Sequence, residues 1–136
     1  MAVEWDDLIP SKVFTRIKTN FAQSLKTKYK MTDKNFSTVG SSDAPAVFPF
    51  VSIQLLSATE NARTLKGTTI NSANFGFQID IYDNQSDNRA EEVAREVKRI
   101  MKSMAFDGSK QQSQSSKGTY RKTYRFSRII CSGDIL

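Results

Sequence analysis

The chain has 136 residues, of which 38% are hydrophobic and 25% are charged, and Lys and Arg outnumber Asp and Glu by 20 to 14. A chain of this length, residues 1–136, is expected to fold as one domain and to bury about two-thirds of its unfolded surface without disulfides or a metal. Histidine is absent and Cys131 is the single cysteine, which excludes a disulfide within one copy and a Cys/His metal cluster.

Membrane insertion and export are not expected from the sequence. No apolar run approaches the ~20 residues that a helix needs to cross a bilayer. The start of the chain carries Glu4, Asp6 and Asp7 where a signal peptide carries basic residues. We therefore expect a soluble protein that is made in the cytoplasm and has no membrane partner.

The first predicted element is a helix of about four turns that starts near Pro10, because proline is tolerated in the first turn of a helix. Apolar residues then recur at helical spacing. They are Val13, Phe14, Ile17, Phe21 and Leu25. The helix ends in a basic run, Lys26, Lys28 and Lys30, which suits the negative end of the helix dipole.

Two strands are predicted after this helix. Phe36–Val39 is a possible short strand, and residues 48–56 form a longer one with apolar side chains on one side and polar side chains on the other. The pattern lapses over residues 57–73, where polar residues dominate. Because this connection is much longer than a usual hairpin loop, it predicts an extended arm or a ribbon tip.

The most regular pattern is an alternating strand, Asn74 to Asp83, followed by an amphipathic helix, Ala90 to Met104. The apolar face of the strand carries Phe75, Phe77, Ile79 and Ile81. The apolar stripe of the helix carries Ala90, Val93, Val97, Ile100, Met101 and Met104. Each element is half of a core, so we expect them to pack on each other.

The C-terminal part is predicted to be a mobile loop and a final strand. Residues 107–118 are rich in Gly, Ser and Gln and bury too little apolar surface to order themselves. Residues 119–131 then alternate between an apolar face with Tyr124 and Phe126 and a cationic face with Arg121 and Arg125.

The order of elements indicates an α+β fold, with a small, mainly antiparallel sheet of three to four strands and two helices on one face. A long arm connects two of the strands. Because the second helix connects two strands, a right-handed crossover is possible there, and the last strand would then lie parallel to one neighbour. A sheet of this size leaves two edges, and an exposed edge invites pairing with another chain.

Catalysis is not expected. Histidine, the commonest general acid or base, is missing. Asp80 and Asp83 lie on opposite faces of their strand and do not form a carboxylate pair. No glycine spacing matches a phosphate-binding loop. We therefore predict no enzyme activity, no catalytic or metal-ligating residues and no cofactor.

The basic residues raise nucleic-acid binding as an alternative function. Tyr120, Tyr124 and Phe126 interleave with arginines in the last strand, as in a platform on which bases stack. In a strand, however, these rings point away from Arg121 and Arg125, so we expect the rings to pack under the helices. What remains is a cationic face that touches phosphates without reading bases.

Taken together, these elements resemble a family of known proteins. The elements are a basic amphipathic first helix, the strand Phe48–Gln54, the strand Asn74–Asp83 running into Asn84, the helix starting at Ala90, and a closing strand rich in Tyr and Arg. Their order resembles the tail terminator, or tail completion, proteins that join head and tail in long-tailed bacteriophages. The resemblance covers nearly the whole chain and rests on order, size and the character of two strands.

This resemblance implies a structural virion protein that assembles in the host cytoplasm and sits at the head-proximal end of the tail. It implies a homo-oligomeric ring, commonly a hexamer, that caps the tail tube once polymerisation stops and docks onto the DNA-filled head. The implied partners are the tail tube protein and the head–tail connector protein, with DNA passing at most transiently through the lumen. The alternative closest to this role is a minor head–tail connector (head completion) subunit.

Several residues are candidates for contacts within such an assembly. We expect the arm to meet the tail tube or an adjacent copy through Arg63, Leu65, Lys66 and Ile70. We expect the start of the chain to pack across a subunit boundary through Trp5, Leu8 and Ile9, with packing of Trp5 on its own first helix as the alternative. Arg121 and Arg125 face either a neighbour's acids or the lumen. We favour the acids, because a lumen that gripped DNA would oppose its ejection.

Overall fold

The computed structural model describes residues 8–38, 48–63, 70–111, 114–116 and 119–131. The helices are α1 (Ile9–Asn20), α2 (Gln23–Lys28) and α3 (Asp87–Ser103), and a 3₁₀ turn covers Asp33–Asn35. The strands are β1 (Phe36–Ser37), β2 (Phe50–Arg63), β3 (Ile70–Asp83), β4 (Asp107–Lys110), β5 (Gln114–Ser116) and β6 (Thr119–Cys131). The protein therefore has the predicted α+β fold.

All six strands form one sheet, in the order β1-β2-β3-β6-β4, with β5 also paired to β6. The predicted number of three to four strands is wrong, because the sheet has six. The sheet is mixed but mainly antiparallel: β1 runs parallel to β2, and the other four pairs are antiparallel. The short strand predicted at Phe36–Val39 is β1, Phe36–Ser37. The strands that were missed are β4 and β5, because they lie in the Gly/Ser/Gln-rich segment and have no apolar alternation of the kind that marks a half-buried strand. The helix α3 does connect two parallel strands, β3 and β4, which lie on either side of β6. The last strand, β6, is however antiparallel to both neighbours and not parallel to one of them.

The strands β2 and β3 form a long ribbon that extends into the region predicted to be an arm. Pairing continues from Phe50↔Tyr82 to Arg63↔Ile70, with register shifts after Leu55 and again near Ala62. Residues 57–63 and 70–73 are therefore paired strand. Residues 64–69 lie outside the described residues. Polar sequence did not prevent pairing here, because the ladder is made by backbone N–H and C=O groups, which every residue but proline carries.

The segment predicted to be a mobile loop, residues 107–118, contains two strands, which corrects that prediction. Both lie along the outer side of β6: β4 pairs with residues 124–127 and β5 with residues 119–121. Between them the backbone N–H of Gln111 donates to the carbonyl of Thr123 at 2.9 Å. Pairing with an already buried strand orders this polar segment, which its own side chains would not do.

The predicted first helix is divided in two. Phe21 has an extended backbone (ψ 135°) that ends α1, and α2 starts two residues later. The Phe21 ring is buried and meets the Phe36 ring edge-on, with the centroids 5.5 Å apart. The break lets Phe21 reach the first strand, and tertiary packing therefore overrides the continuous helical pattern.

The core lies between the sheet and the helices. The helix α3 packs on β3 and β6, and α1 packs on α3. The predicted apolar face of β3 and the predicted stripe of α3 are buried throughout, as are Tyr124 and Phe126 of β6. No helix among the described residues is both long and apolar enough to cross a membrane.

Candidate protein-interaction surfaces

The sheet presents a polar face on the side opposite the helices. The alternation of β3 and β6 that turns Phe77 and Phe126 into the core turns Gln78 and Arg125 the other way. The strand register then aligns three cross-strand pairs on this face. They are Gln78 with Arg125, Asp80 with Thr123, and Tyr82 with Arg121.

Asp80 is the centre of this polar face and is almost fully buried. Its Oδ1 accepts hydrogen bonds from Thr123 Oγ1 at 2.6 Å and from Arg121 Nε at 3.1 Å. Its Oδ2 accepts from Gln78 Nε2 at 3.1 Å. A carboxylate with donors on both oxygens is a structural anchor and not an available base.

The two arginines proposed to contact a neighbour are placed differently. Arg121 forms an ion pair with Asp80 of its own chain and lies 5.6 Å from the Tyr82 ring centroid. Burial, followed by the charge of Asp80, raises the pKa of that Tyr82. Arg125 is exposed and donates from Nε to Gln78 Oε1 at 3.3 Å. Within the described residues, Arg125 is therefore the better placed of the two to meet an external acid.

Lys122, between these arginines, points into the helix side of the sheet. It is buried and pairs with Asp87 at 2.8 Å and Glu91 at 3.5 Å, both on α3. The hydrogen bond that Lys122 donates to Asp87 is the main cause that raises the pKa of Lys122, and burial opposes it. With Lys122 turned inward, and Tyr124 and Phe126 buried and stacked on each other, β6 does not present a platform for bases.

The outer edge of β2 is largely open. Among the described residues, β1 pairs only with Val51 and Ser52 of β2, which leaves the following residues of that edge without a strand partner. Leu55 and Leu56 lie at this edge and are 44% and 49% exposed. Leu56 also lines an apolar groove of about 360 Å³ that passes over Gly76, where the central strand has no side chain, to Phe126. An open edge beside exposed leucines is suited to contact with another chain.

A second concave surface, which we call the cationic pocket, lies where α2 ends and α3 begins. Its volume is about 540 Å³. It is lined by Lys28, Tyr29, Lys30, Thr32, Asn35, Phe48, Asn84, Gln85 and Arg89. This set contains three cations and no acid.

The walls of the cationic pocket are held by contacts to residues behind them. Arg89 pairs with the fully buried Asp83 at 2.8 Å and lies 5.3 Å from the Tyr29 ring centroid. The Tyr29 hydroxyl donates to Glu92, and burial, then this bond, raises the pKa of Tyr29. Asp83 also accepts from the backbone N–H of Ser86 at 3.1 Å, which fixes the turn into α3. These contacts give the pocket a defined shape.

The structure separates the other predicted interface residues. Leu8 is 45% exposed, but Ile9 is buried in its own core, so the prediction that Ile9 packs across a subunit boundary is wrong. Helical spacing explains the difference, because Ile9 lies one turn before the buried Val13. Arg63 and Ile70 pair at the end of the ribbon.

Trp5, Leu65 and Lys66 lie outside the described residues. Sequence analysis missed the cationic pocket, because Lys28 and Lys30 read as a helix end and Arg89 lies some 60 residues further on. The exposed, polar turn at Asn84 and Gln85 was the only local signal.

No protein-family model matches this chain, and no curated protein matches its sequence. Among the described residues, no group of three or more Cys, Asp or Glu side chains is arranged to hold a metal ion.

Proposed function

We propose that this protein is a structural subunit of a ring that caps the tail tube of a long-tailed bacteriophage, stops its polymerisation and provides the docking surface for the head. The observation that carries the proposal is the open outer edge of β2, which runs past Leu55 and Leu56 towards the end of the β2–β3 ribbon. An edge of this kind is a template for pairing with another chain.

Ring formation requires two different surfaces on each copy, because head-to-tail contacts close into a ring. The sheet supports this requirement, since β2 lies near one side and β4 forms the other side. The β2 side carries exposed leucines, whereas β4 is short and polar. Two unlike edges on one sheet favour a heterologous contact over a symmetric dimer.

The polar face supports a structural role over catalysis. Its buried carboxylate, Asp80, is occupied by donors from its own chain, as described above. The buried Lys122 is likewise paired with acids of α3. Groups that are fully paired stabilise a scaffold and leave no free nucleophile or base at these positions.

The oligomeric state tests the ring directly. Size-exclusion chromatography with light scattering is expected to give a mass that is a multiple of the 15.3 kDa of one chain, about six copies, either alone or after addition of tail tubes. A mass of one chain at high concentration, with no capping of added tubes, would refute the proposal.

Electron microscopy of particles that lack the protein tests the tail role. Without a terminator, tails of uncontrolled length are expected, and added protein should restore a uniform length. The head completion role makes the opposite prediction: tails keep their normal length, and the protein co-purifies with heads instead of tails.

A further inference from the structure

We propose that the cationic pocket receives the acidic N-terminal segment, residues 1–7, of the adjacent copy in the ring. This inference rests on the proposed ring and names one of its contacts. The pocket and the segment are two different surfaces of one chain, as a heterologous contact requires.

The charge of the pocket carries the first step. Two of its three cations have partners in their own chain: Arg89 pairs with Asp83 at 2.8 Å and Lys28 with Glu92 at 3.7 Å. Lys30 is exposed and has no ion pair among the described residues. The pocket therefore keeps an uncompensated positive charge, with a second one, Lys28, only loosely paired at the surface.

The sequence of the segment carries the second step. Residues 1–7 contain Glu4, Asp6 and Asp7 and no Lys or Arg. They also contain Trp5, the only tryptophan of the chain. No stretch of seven residues elsewhere in the chain, beyond residue 10, holds three acids without a base, so the start of the chain has the best charge complementarity to the pocket.

The remaining lining residues fit the same occupant. Asn84, Gln85 and Thr32 supply amide and hydroxyl donors for carboxylates. Tyr29 and Phe48 supply aromatic surface against which an indole ring packs. A peptide that carries acids around one aromatic residue uses both kinds of contact.

A nucleic acid fits the pocket less well. Non-specific DNA binding uses a row of projecting cations along the phosphate backbone. Here the cations line a concave site, and Glu92 and Asp83 lie directly behind two of them. We therefore assign the pocket to a protein segment and use DNA binding as an outcome of the test.

Charge exchange in the full chain tests the contact. The variants are Lys30→Glu, the pair Asp6→Lys with Asp7→Lys, and all three changes together, measured by light scattering over a range of concentrations. Each of the first two is expected to raise the concentration at which the ring forms by about tenfold, and the combination to restore it. Lys102→Glu, an exposed lysine in the last turn of α3, is the control and should leave ring formation unchanged. Fluorescence of Trp5 should shift to the blue on assembly in the wild type and less so in Lys30→Glu.

The outcomes separate this inference from the ring itself. If the wild type forms rings and the Lys30→Glu and Asp6→Lys/Asp7→Lys variants form them equally well, the pocket contact is refuted and the ring stands. If the wild type forms no ring, both are refuted. Equal loss in Lys102→Glu, or no recovery in the combined variant, also refutes the contact. A lower thermal stability of the Lys30→Glu or Asp6→Lys/Asp7→Lys monomer, without a change in assembly, also refutes the contact, because it would place the segment in the pocket of its own chain. Loss of binding to random DNA in Lys30→Glu, with rings intact, would assign the pocket to nucleic acid.

Discussion

At the scale of single residues, Asp80 is the side chain whose environment differs most from the one that its position in the sequence predicts. A carboxylate on a polar strand face reads as a solvated group. It is instead buried, and it accepts hydrogen bonds from donors that lie 41 and 43 residues further along the chain. The strand register brings these donors together, because Asp80 is paired with Thr123 in the ladder. Asp80 therefore joins the side chains of the polar face, because three of them donate hydrogen bonds to it.

Asp80→Asn is expected to lower the free energy of unfolding by about 2–3 kcal/mol. An Asn side chain has only one acceptor oxygen, and its NH2 group cannot accept, so at least one of the three groups that donate to Asp80 loses its acceptor. The value is at the lower end of the range for a buried pair, since the Arg121 side chain is one-third exposed. Urea denaturation at neutral pH measures it. Asp33→Asn is the control: this exposed acid lies 3.6 Å from Lys18, and its loss should cost no more than about 0.5 kcal/mol. Equal losses in both variants would contradict the assignment of Asp80 as the anchor.

Gly108 is the second residue whose role depends on the fold. A Cβ at this position would lie 2.4 Å from Cε1 of Phe126, whose ring is fully buried and not free to move aside. Gly108→Ala is therefore expected to destabilise the protein by about 1–3 kcal/mol through overpacking. Thermal unfolding of Gly108→Ala should be compared with Ser109→Ala, an exposed neighbour in the same strand, for which a change within about 0.5 kcal/mol is expected. An unchanged Gly108→Ala would mean that β4 lies further from β6.

At the scale of elements, Glu96 joins three helices. Its Oε2 accepts from the backbone N–H of Ala22 at 2.7 Å, which is the residue before α2. Arg99 donates to both carboxylate oxygens, at 2.6 and 2.9 Å, and also to the carbonyl of Asn20 at the end of α1. The break between α1 and α2 is thus fixed by an acid on α3.

The same contacts make part of the stability depend on pH. The hydrogen bond from Arg99 lowers the pKa of Glu96 from 4.5, with burial opposing it and the Ala22 N–H assisting. A pKa that is lowered in the folded state adds stability above the unfolded value, near 4.5, and this stability is lost as the pH falls through the folded pKa. Glu96→Gln should therefore be less stable than the wild type at neutral pH, and the difference should shrink as the pH falls below about 4.5.

Unfolding by urea between neutral and acidic pH measures this difference. Arg99→Gln is a second variant that keeps the acid and removes the main cause of its low pKa, so it should show the same shrinking difference from the wild type. A constant difference between Glu96→Gln and the wild type at every pH would show that packing, and not ionisation, is what the substitution removes.

At the scale of the whole molecule, the sheet determines what the protein offers to partners. One face is covered by helices and the other is a self-paired polar face. Within the described parts of the chain, the β2 edge has no strand partner beyond Ser52 and lies beside exposed leucines. Leu56→Lys is expected to raise the concentration at which the ring forms by about tenfold, because a lysine on an open edge opposes pairing with another strand.

The fold of the monomer should be unaffected by Leu56→Lys, since the side chain is already half exposed, and circular dichroism checks this. Ser103→Lys adds the same charge at an exposed position in the last turn of α3 and should assemble as the wild type does. Equal assembly of Leu56→Lys and the wild type would move the subunit contact away from the β2 edge.

The core elements were predictable because their signals are local. The alternation of Phe75, Phe77, Ile79 and Ile81 and the stripe of α3 are repeated over ten or more residues, so β3, α3 and their mutual packing followed from periodicity. The α+β class followed from the order of those elements. The burial of Ile9 follows from the same kind of pattern, because it lies one turn before Val13 on the buried side of α1.

The surfaces were decided by tertiary structure alone, because they join residues that are distant in sequence. The β4 and β5 strands exist only because β6 offers them hydrogen bonds, and no side-chain pattern encodes that. The pairing of Arg121 with Asp80 depends on the register of β3 and β6, which a shift of one residue would abolish. Likewise, the cationic pocket requires the ends of α2 and α3 to meet. Periodicity therefore determined which residues lie inside, whereas strand register and helix packing determined which charges remain available at the surface.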